Sequence, residues 1–508
     1  MSDQHSHKTD LKRTMKSRHL AMIGIGGAIG TGLWFASGTV VSGIGPGGAV
    51  LVFALMGMLV YFLMTGLGEM ATKIPLSGSF ETYASKFIDP ALGFAIGWNY
   101  YLSWAVTVTF EIVVGVKALQ FWIPPSVLPE WIPSLVFFFL LFGLNFASAR
   151  VFGESEYWFA GLKVITVIIF LIVGVLLIFG VIGPGSPGFA NWTHTAVNGD
   201  LAGTSAPFPT GIGAIVSAFL VAAFSFQGTE LIGLSAGEAE NHEKSIPRAI
   251  NSVFWRILLF YIGGMIVIGF LIPYDDPHLI ATQAVSSSDV GAVQFSPFTL
   301  VFFNAGITWA AHFMNFVFLT SVLSCGNSGL FCATRMLYGM GNEGKAPKLF
   351  ARTNKRGVPI YALLVTAAIA AFGFVSSFLP VDIFDWLLNA SGMMGMFGWF
   401  AIAWCHWRFR KAYLVQGNDL NDLSYKAKFY PFGPILAFFL CIIVVLTAEK
   451  WVFTQSPFSF VDFITWYWPL FTFFGCWLIY KFVRKTKMVK PEEASFAVEY
   501  TIDNKPEK

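Results

Sequence analysis

Five glycines in ten residues, in IGIGGAIGTG (23–32), interrupt an apolar segment that begins near Leu20. Inside a bilayer every backbone polar group must be satisfied internally, so a helix interruption survives only where it is buried in protein or lines a cavity. Glycine permits such an interruption. The N–H groups around Gly30, Thr31 and Gly32, at the start of a second half-helix, would then favour an anion such as a carboxylate. The competing reading is close helix packing, because Gly26 and Gly30 stand four residues apart. A dinucleotide-binding loop is excluded, since G-x-G-x-x-G needs glycine where Ile29 stands and no soluble strand precedes it.

A second polar island, AFSFQGTELIG (223–233), places Gln227, Gly228, Thr229 and Glu230 together at hydrocarbon depth. Carbonyls freed near Phe224 and Gln227 would attract an ammonium group, where the first stretch attracts a carboxylate. A zwitterionic amino acid needs both. Intramembrane ionisable groups are functional candidates by default. Glu111 in SWAVTVTFEIVVG is one, either facing the cavity or packed in a hydrogen-bonded, protonated form. Lys163 stands about six residues, roughly 9 Å, beyond a helix start at Tyr157 and could snorkel to the interface. Glu230 braces the second interruption or relays a proton. Glu69 and Glu238 fall near span ends and read as interface residues. Asn327, Ser328, Asn389 and Ser391 read as helix–helix hydrogen-bonding groups, while Phe224, Tyr101 and Trp104 are placed to act as lids.

These residues need membrane helices to hold them. The 508-residue chain is 55% hydrophobic and only 12% charged, about half the charge of a soluble domain. Apolar runs of roughly 18 residues or more number twelve: 20–43, 48–70, 90–123, 132–149, 156–182, 211–237, 251–273, 296–340, 359–379, 383–407, 432–449 and 461–483. The long third and eighth runs are expected to include non-spanning ends or strong tilt. Lys12, Arg13, Lys16 and Arg18 precede the first span, and Lys73, Lys86, Arg150, Lys244, Lys345, Lys348, Arg408 and Lys411 fall in even-numbered loops, whereas odd-numbered loops hold only Lys450. The positive-inside rule puts both termini in the cytoplasm. The segment 183–211 and the acidic Asp275, Asp276 and Asp289 then lie outside. The expected organisation is a 1–19 tail, one membrane domain over 20–483 and a 484–508 tail.

The second interruption lies five spans after the first, and an odd number of crossings reverses direction, so the two broken helices are related by inversion. Paired interruptions of this kind point to a transporter of inverted-topology repeats with a substrate site near the midplane. No phosphate-binding P-loop and no spaced metal ligands compete, so neither an enzyme nor a metal site is expected. The net charge of +3 implies no nucleic acid. Cys325, Cys332, Cys405, Cys441 and Cys476 all fall in apolar segments without a C-x-x-C pair and read as packing residues.

Besides IGGAIGTGLW, the chain carries GEM (68–70), PLSGSFETY (75–83), GWNYYLSWAVT (97–107), GESEYWFAGLKV (153–164), SIPRAINSVFWRILLFY (245–261), GNSGLFCATRMLY (326–338) and ASGMMGMFGWF (390–400). Through these stretches it resembles the amino acid transporters of the amino acid–polyamine–organocation superfamily over nearly its whole length. QGNDLNDLSY (416–425) is similar to the lysine-transporting members in particular.

The resemblance implies an all-α membrane protein of twelve transmembrane helices with helices 1 and 6 broken. It further implies a leucine-transporter-like five-plus-five inverted repeat (about 20–182 and 211–407) with two extra helices (432–449 and 461–483). It implies proton-coupled uptake with no cofactor other than the proton. It implies a substrate carboxylate on the amides of Gly30, Thr31 and Gly32, and an α-ammonium on the carbonyls of Ala28, Phe224 and Gln227. Glu111 would serve as counter-ion to a lysine side chain or as proton carrier. Lys163 would stand where sodium-coupled relatives bind a structural sodium, so Lys163, Glu111 and Glu230 form the expected proton-coupling set. Many relatives for neutral and aromatic substrates carry F-G-G-x-E where this chain has Phe226-Gln227-Gly228-Thr229-Glu230, so Gln227 and Thr229 favour a polar or cationic substrate.

The expected activity is uptake of an L-amino acid, foremost L-lysine, across a bacterial cytoplasmic (inner) membrane by alternating access. Two other readings stand beside it. One is a permease for another cationic or neutral amino acid, and the other a lysine-binding nutrient sensor that signals to a membrane partner through its outer loops.

Overall fold

The computed structural model describes residues 29–76, 79–147, 149–234, 242–280, 296–375 and 383–497. The 1–19 tail, Ala28, Glu238 and Asp289 lie outside them. Among the described residues the regular elements are all helices, apart from one isolated antiparallel bridge between Thr195 and Ser205.

Among the described residues, seven helical segments are long and apolar enough to cross a membrane: Gly32–Lys73, Pro90–Leu119, Phe152–Ile178, Ile212–Leu234, His242–Leu271, Thr308–Asn342 and Phe460–Arg484. Trp131–Ala147, Ile360–Ala370 and Phe432–Thr447 are shorter apolar helices. The chain is a multi-pass membrane protein by these features. Its helices are α1 (Ser37–Lys73), α2 (Ser79–Phe87), α3 (Pro90–Leu119), α4 (Trp131–Ala147), α5 (Ala149–Ile178), α6 (Ile212–Phe226), α7 (Leu231–Leu234), α8 (His242–Arg256), α9 (Gly263–Leu271), α10 (Pro297–Asn304), α11 (Thr308–Asn342), α12 (Ile360–Ala370), α13 (Ile383–Val415), α14 (Phe432–Thr447) and α15 (Phe460–Arg484), with a few shorter turns between them.

The first two runs meet at a kink inside α1, where Gly45 is non-helical (φ 75°, ψ 171°) ahead of Pro46, between the expected end at 43 and start at 48. Two other boundaries differ from those expected. The fifth run begins earlier, at Ala149, because the polar GESEYW stretch continues the helix instead of preceding it. The eighth run divides into α10 and α11 around Gly306, so its first turns are a separate short helix.

α3 is the centre of the bundle. Asp89 caps it through a hydrogen bond from the Ala91 amide (2.9 Å), and Pro90 occupies its first turn, where no N–H is required. At 1.5 Å per residue its 30 residues span about 45 Å, and 78% of its most apolar stretch is buried against α11, α13, α15 and α2. The corresponding value for α15 is 22%, and residues such as Ile479, Phe482 and Val483 form an apolar exterior suited to lipid.

One end of the bundle is tied by ionic clusters. Glu69, expected as an interface residue, is fully buried and accepts two hydrogen bonds of 2.6 Å from Arg410 and one of 2.6 Å from the Ala427 amide. Lys345, just beyond α11, is paired with Glu81 of α2 and with Glu343 (2.6 Å). Burial opposes the charge on Lys345, but the two carboxylates outweigh it and hold the ammonium above its ordinary range.

After α15 the chain turns back at Lys485 and runs across α2 and the end of α13. The Val489 amide donates to the Ile88 carbonyl (2.8 Å), Lys86 to the Ala497 carbonyl (2.7 Å), and Arg408 to the carbonyls of Phe87 (3.0 Å) and Val489. Phe496 packs among Phe87, Phe409 and Tyr413 with centroids 5.3–5.6 Å away.

The opposite end carries the 183–211 segment. Asp275 accepts hydrogen bonds from the Val197 amide (2.7 Å) and the Asn198 amide (3.3 Å), and pairs with His194 at 2.7 Å. It is turned into its own chain and 4% exposed, not displayed as an acidic surface.

Candidate functional site

The described part of the first glycine-rich stretch begins at Ile29. The Gly30 carbonyl accepts from the amides of Leu33 and Trp34 (3.2 Å each), and a π-helical turn, Gly32–Ala36, leads into α1. The Thr31 hydroxyl donates to Glu111 Oε2 at 2.5 Å. A Cβ on Gly32 would lie 2.3 Å from Ser225 Cα and 2.8 Å from its amide nitrogen, so only glycine lets the backbones of this stretch and α6 approach so closely.

On the other side of that contact α6 ends at Phe226. Gln227 is extended (φ −58°, ψ 147°), Gly228 takes a positive φ of 89° that disfavours any side chain, and α7 resumes the helix. The Phe224 carbonyl, expected to be free for an ammonium, accepts from the Gln227 amide at 3.2 Å within its own turn. Its ring meets Phe110 edge-on at 5.3 Å.

The two polar side chains of the interruption point to different helices. Gln227 Nε2 donates to the Ser391 carbonyl (2.8 Å), and its Oε1 accepts from the Ser391 hydroxyl (3.3 Å), joining α13. Thr229, fully buried, donates to the Phe226 carbonyl (2.6 Å) and accepts from Arg256 of α8. Glu230 collects Tyr100 (2.9 Å), Trp399 (3.1 Å) and the Gly228 amide (3.2 Å), an arrangement that braces the non-helical turn from α3 and α13.

Lys163 is 1% exposed. Because α5 starts at Ala149 and not at Tyr157, Lys163 stands fourteen residues along the helix, roughly 21 Å, too deep to snorkel. It lies in electrostatic reach of Glu156, Cys325 and Glu111. Cys325 also faces Gly30, whose Cβ position is 2.7 Å from its Sγ and 3.3 Å from Glu111 Oε1. The structure therefore brings Gly30, Thr31, Gly32, Glu111, Lys163 and the end of α6 into one buried neighbourhood, and leaves Thr229 and Glu230 on its far side, turned toward α8, α3 and α13.

Sequence reasoning missed Glu156. Its carboxylate is buried and accepts from Ser324 (2.8 Å) and Asn327 (2.8 Å) of α11, and Asn327 in turn accepts from Asn145 of α4 (2.8 Å). The available signal was spacing, since residues seven apart lie two turns away on one helix face. A helix taken to start at residue 156 hid it.

These features can be set beside known proteins. The amino acid permease family model matches residues 19–492. The chain is 46% identical over 488 residues to the lysine-specific permease LysP of Escherichia coli (strain K12), covering 96% of each chain. It is also 46% identical to the lysine-specific permease LysP of Lactococcus lactis subsp. cremoris (strain MG1363), covering 96% of this chain and 93% of that one. The histidine permease HisP of the same strain is 42% identical over 502 residues, covering 97% of this chain and 99% of its own.

Proposed function

The chain belongs to the amino acid permease family, and from that premise we propose that it takes up L-lysine, driven by protons, through alternating access. It is a transporter, not an enzyme. The observation that carries the site is the contact of Gly32 with the Ser225 backbone, with Glu111 anchored on Thr31 beside it. Amides at Gly30, Thr31 and Gly32 receive the substrate carboxylate, where a helix beginning favours negative charge. The α-ammonium is held by the carbonyls of Ala28, Phe224 and Gln227, the Phe224 oxygen using the lone pair that its bond from the Gln227 amide leaves. Glu111 answers the cationic side chain or carries a proton, with Thr229 and Glu230 supporting the turn from behind. Lys163 gains and loses a proton in place of a bound sodium ion. The proton is the coupling ion and no other cofactor is used.

In this reading twelve transmembrane helices form a five-plus-five inverted repeat over about 20–182 and 211–407, plus two helices at 432–449 and 461–483. Helices 1 and 6 are discontinuous. The end of α6 at Phe226 and the positive φ of Gly228 support this for the sixth. The protein lies in the bacterial inner membrane with both tails cytoplasmic. A sensor that addresses a partner through its outer loops draws no support from Asp275, whose carboxylate is engaged internally. A histidine permease among the relatives makes another amino acid the runner-up substrate.

The test is radiolabelled lysine uptake into proteoliposomes under an inward proton gradient without sodium, with unlabelled amino acids as competitors. Accumulation blocked by lysine-like compounds, and lost in Glu111→Gln and Lys163→Ala, is the expected result. Binding without accumulation would favour the sensor, a sodium requirement would remove the role given to Lys163, and stronger competition by histidine would change the substrate.

A further inference from the structure

Lys163 faces two buried carboxylates, and the two are held differently. Glu111 is fastened to Thr31, on the stretch that meets the substrate. Glu156 is fastened to α11 through Ser324 and Asn327 at 2.8 Å each, and Asn327 is itself held by Asn145 of α4. A carboxylate this deep needs hydrogen bonds and an opposite charge to remain ionised. Two neutral donors supply the first, and Lys163 is the cation in reach to supply the second. Glu156 and Lys163 lie two turns apart, and a helical lysine slants back toward the helix N-terminus, which shortens the roughly 10 Å rise between them.

We propose that Glu156 is a positioning residue for the Lys163 ammonium. It is the fixed anion of a buried acid–lysine–acid set in which Glu111 is the anion coupled to the binding stretch. One ammonium cannot fully neutralise both. With Glu111 engaged by Thr31 or by substrate, Glu156 keeps Lys163 on the α5–α11 side, and its charge sets how readily the ammonium releases a proton. The groups facing Lys163 are Glu156 from its own helix, Glu111 from α3 and Cys325 from α11.

The part of this inference that concerns proton release rests on the proton-coupled reading above; the pairing does not. The experiment therefore has two measurements on wild type, Glu156→Gln, Lys163→Met and the double variant. The first is thermal unfolding in detergent. Lys163→Met leaves both carboxylates without this ammonium and Glu156→Gln removes one of its two anions, so each single variant should lower Tm, while the double variant should be more stable than the sum of the two losses allows. The second is the pH profile of lysine uptake at a fixed proton gradient. Glu156→Gln removes one of two anions holding the ammonium, so its profile should move to lower pH by half a unit or more, which a packing role would not produce. Additive Tm losses together with a Glu156→Gln profile that superimposes on wild type would overturn the proposal. If wild-type uptake ignores the proton gradient, the coupling reading fails, and the thermal cycle still decides whether Glu156 holds Lys163. If Glu156→Gln does not fold, Glu156→Asp, which keeps the charge, should fold and retain the wild-type profile; failure of both to fold would overturn the positioning role in favour of packing.

Discussion

At the scale of single residues the site depends on atoms that are missing as much as on those present. A methyl group on Gly32 would meet backbone atoms of Ser225, which cannot rotate away. Gly32→Ala should therefore abolish gradient-driven uptake and weaken lysine binding at least tenfold, measured by uptake and by equilibrium binding of labelled lysine. Binding within twofold of wild type would show that the two stretches part without consequence for the site. Residue types alone singled out this position as a candidate, together with Thr31, Glu111, Lys163 and Gln227, because polar or flexible residues at hydrocarbon depth need a reason to be there. Glu156 needed the same reason and was concealed by the polar residues around it, which read as a loop.

At the scale of elements, the clips between helices carry their own expectations. Lys345 joins α11 to α2 by pairing with both Glu81 and Glu343. Lys345→Met would remove the buried ammonium that two neighbouring carboxylates share and should cost about 3–5 kcal/mol, seen as a fall in Tm. Adding Glu81→Gln should recover part of it, and a Lys345→Met protein as stable as wild type would make the cluster dispensable. At the other end, Asp275 fastens the 183–211 segment. Burial works against its charge, but the Val197 amide, His194 and the Asn198 amide hold the carboxyl below its usual range. A depressed carboxyl contributes stability that is fully present above its unfolded value of about 3.9 and is lost as pH falls through the folded value. The Tm deficit of Asp275→Asn should therefore be largest near neutrality and shrink toward pH 3; a deficit constant with pH would show that charge is irrelevant there. The sequence could locate the helices, because long apolar runs have few other solutions. It could not show these clips, whose partners come from distant segments.

For the whole molecule, alternation of basic loops predicts the orientation. A cysteine at Asp200 should react with an impermeant maleimide in intact cells, and one at Lys355 only after permeabilisation; both positions are exposed. The reverse pattern would invert the transporter.

The docked segment after α15 has a consequence for how the molecule is made. Lys86 and Ala497 are hydrogen-bonded partners separated by 411 residues. A ribosome delivers α2 long before it delivers Phe496, so the Ile88 carbonyl and the faces of Phe87, Phe409 and Tyr413 wait until the segment after α15 has been translated. Stop codons or reporter fusions placed immediately after Arg484 would leave that seam open however well the membrane helices insert. A reporter attached beyond Ala497 would leave the seam free to close.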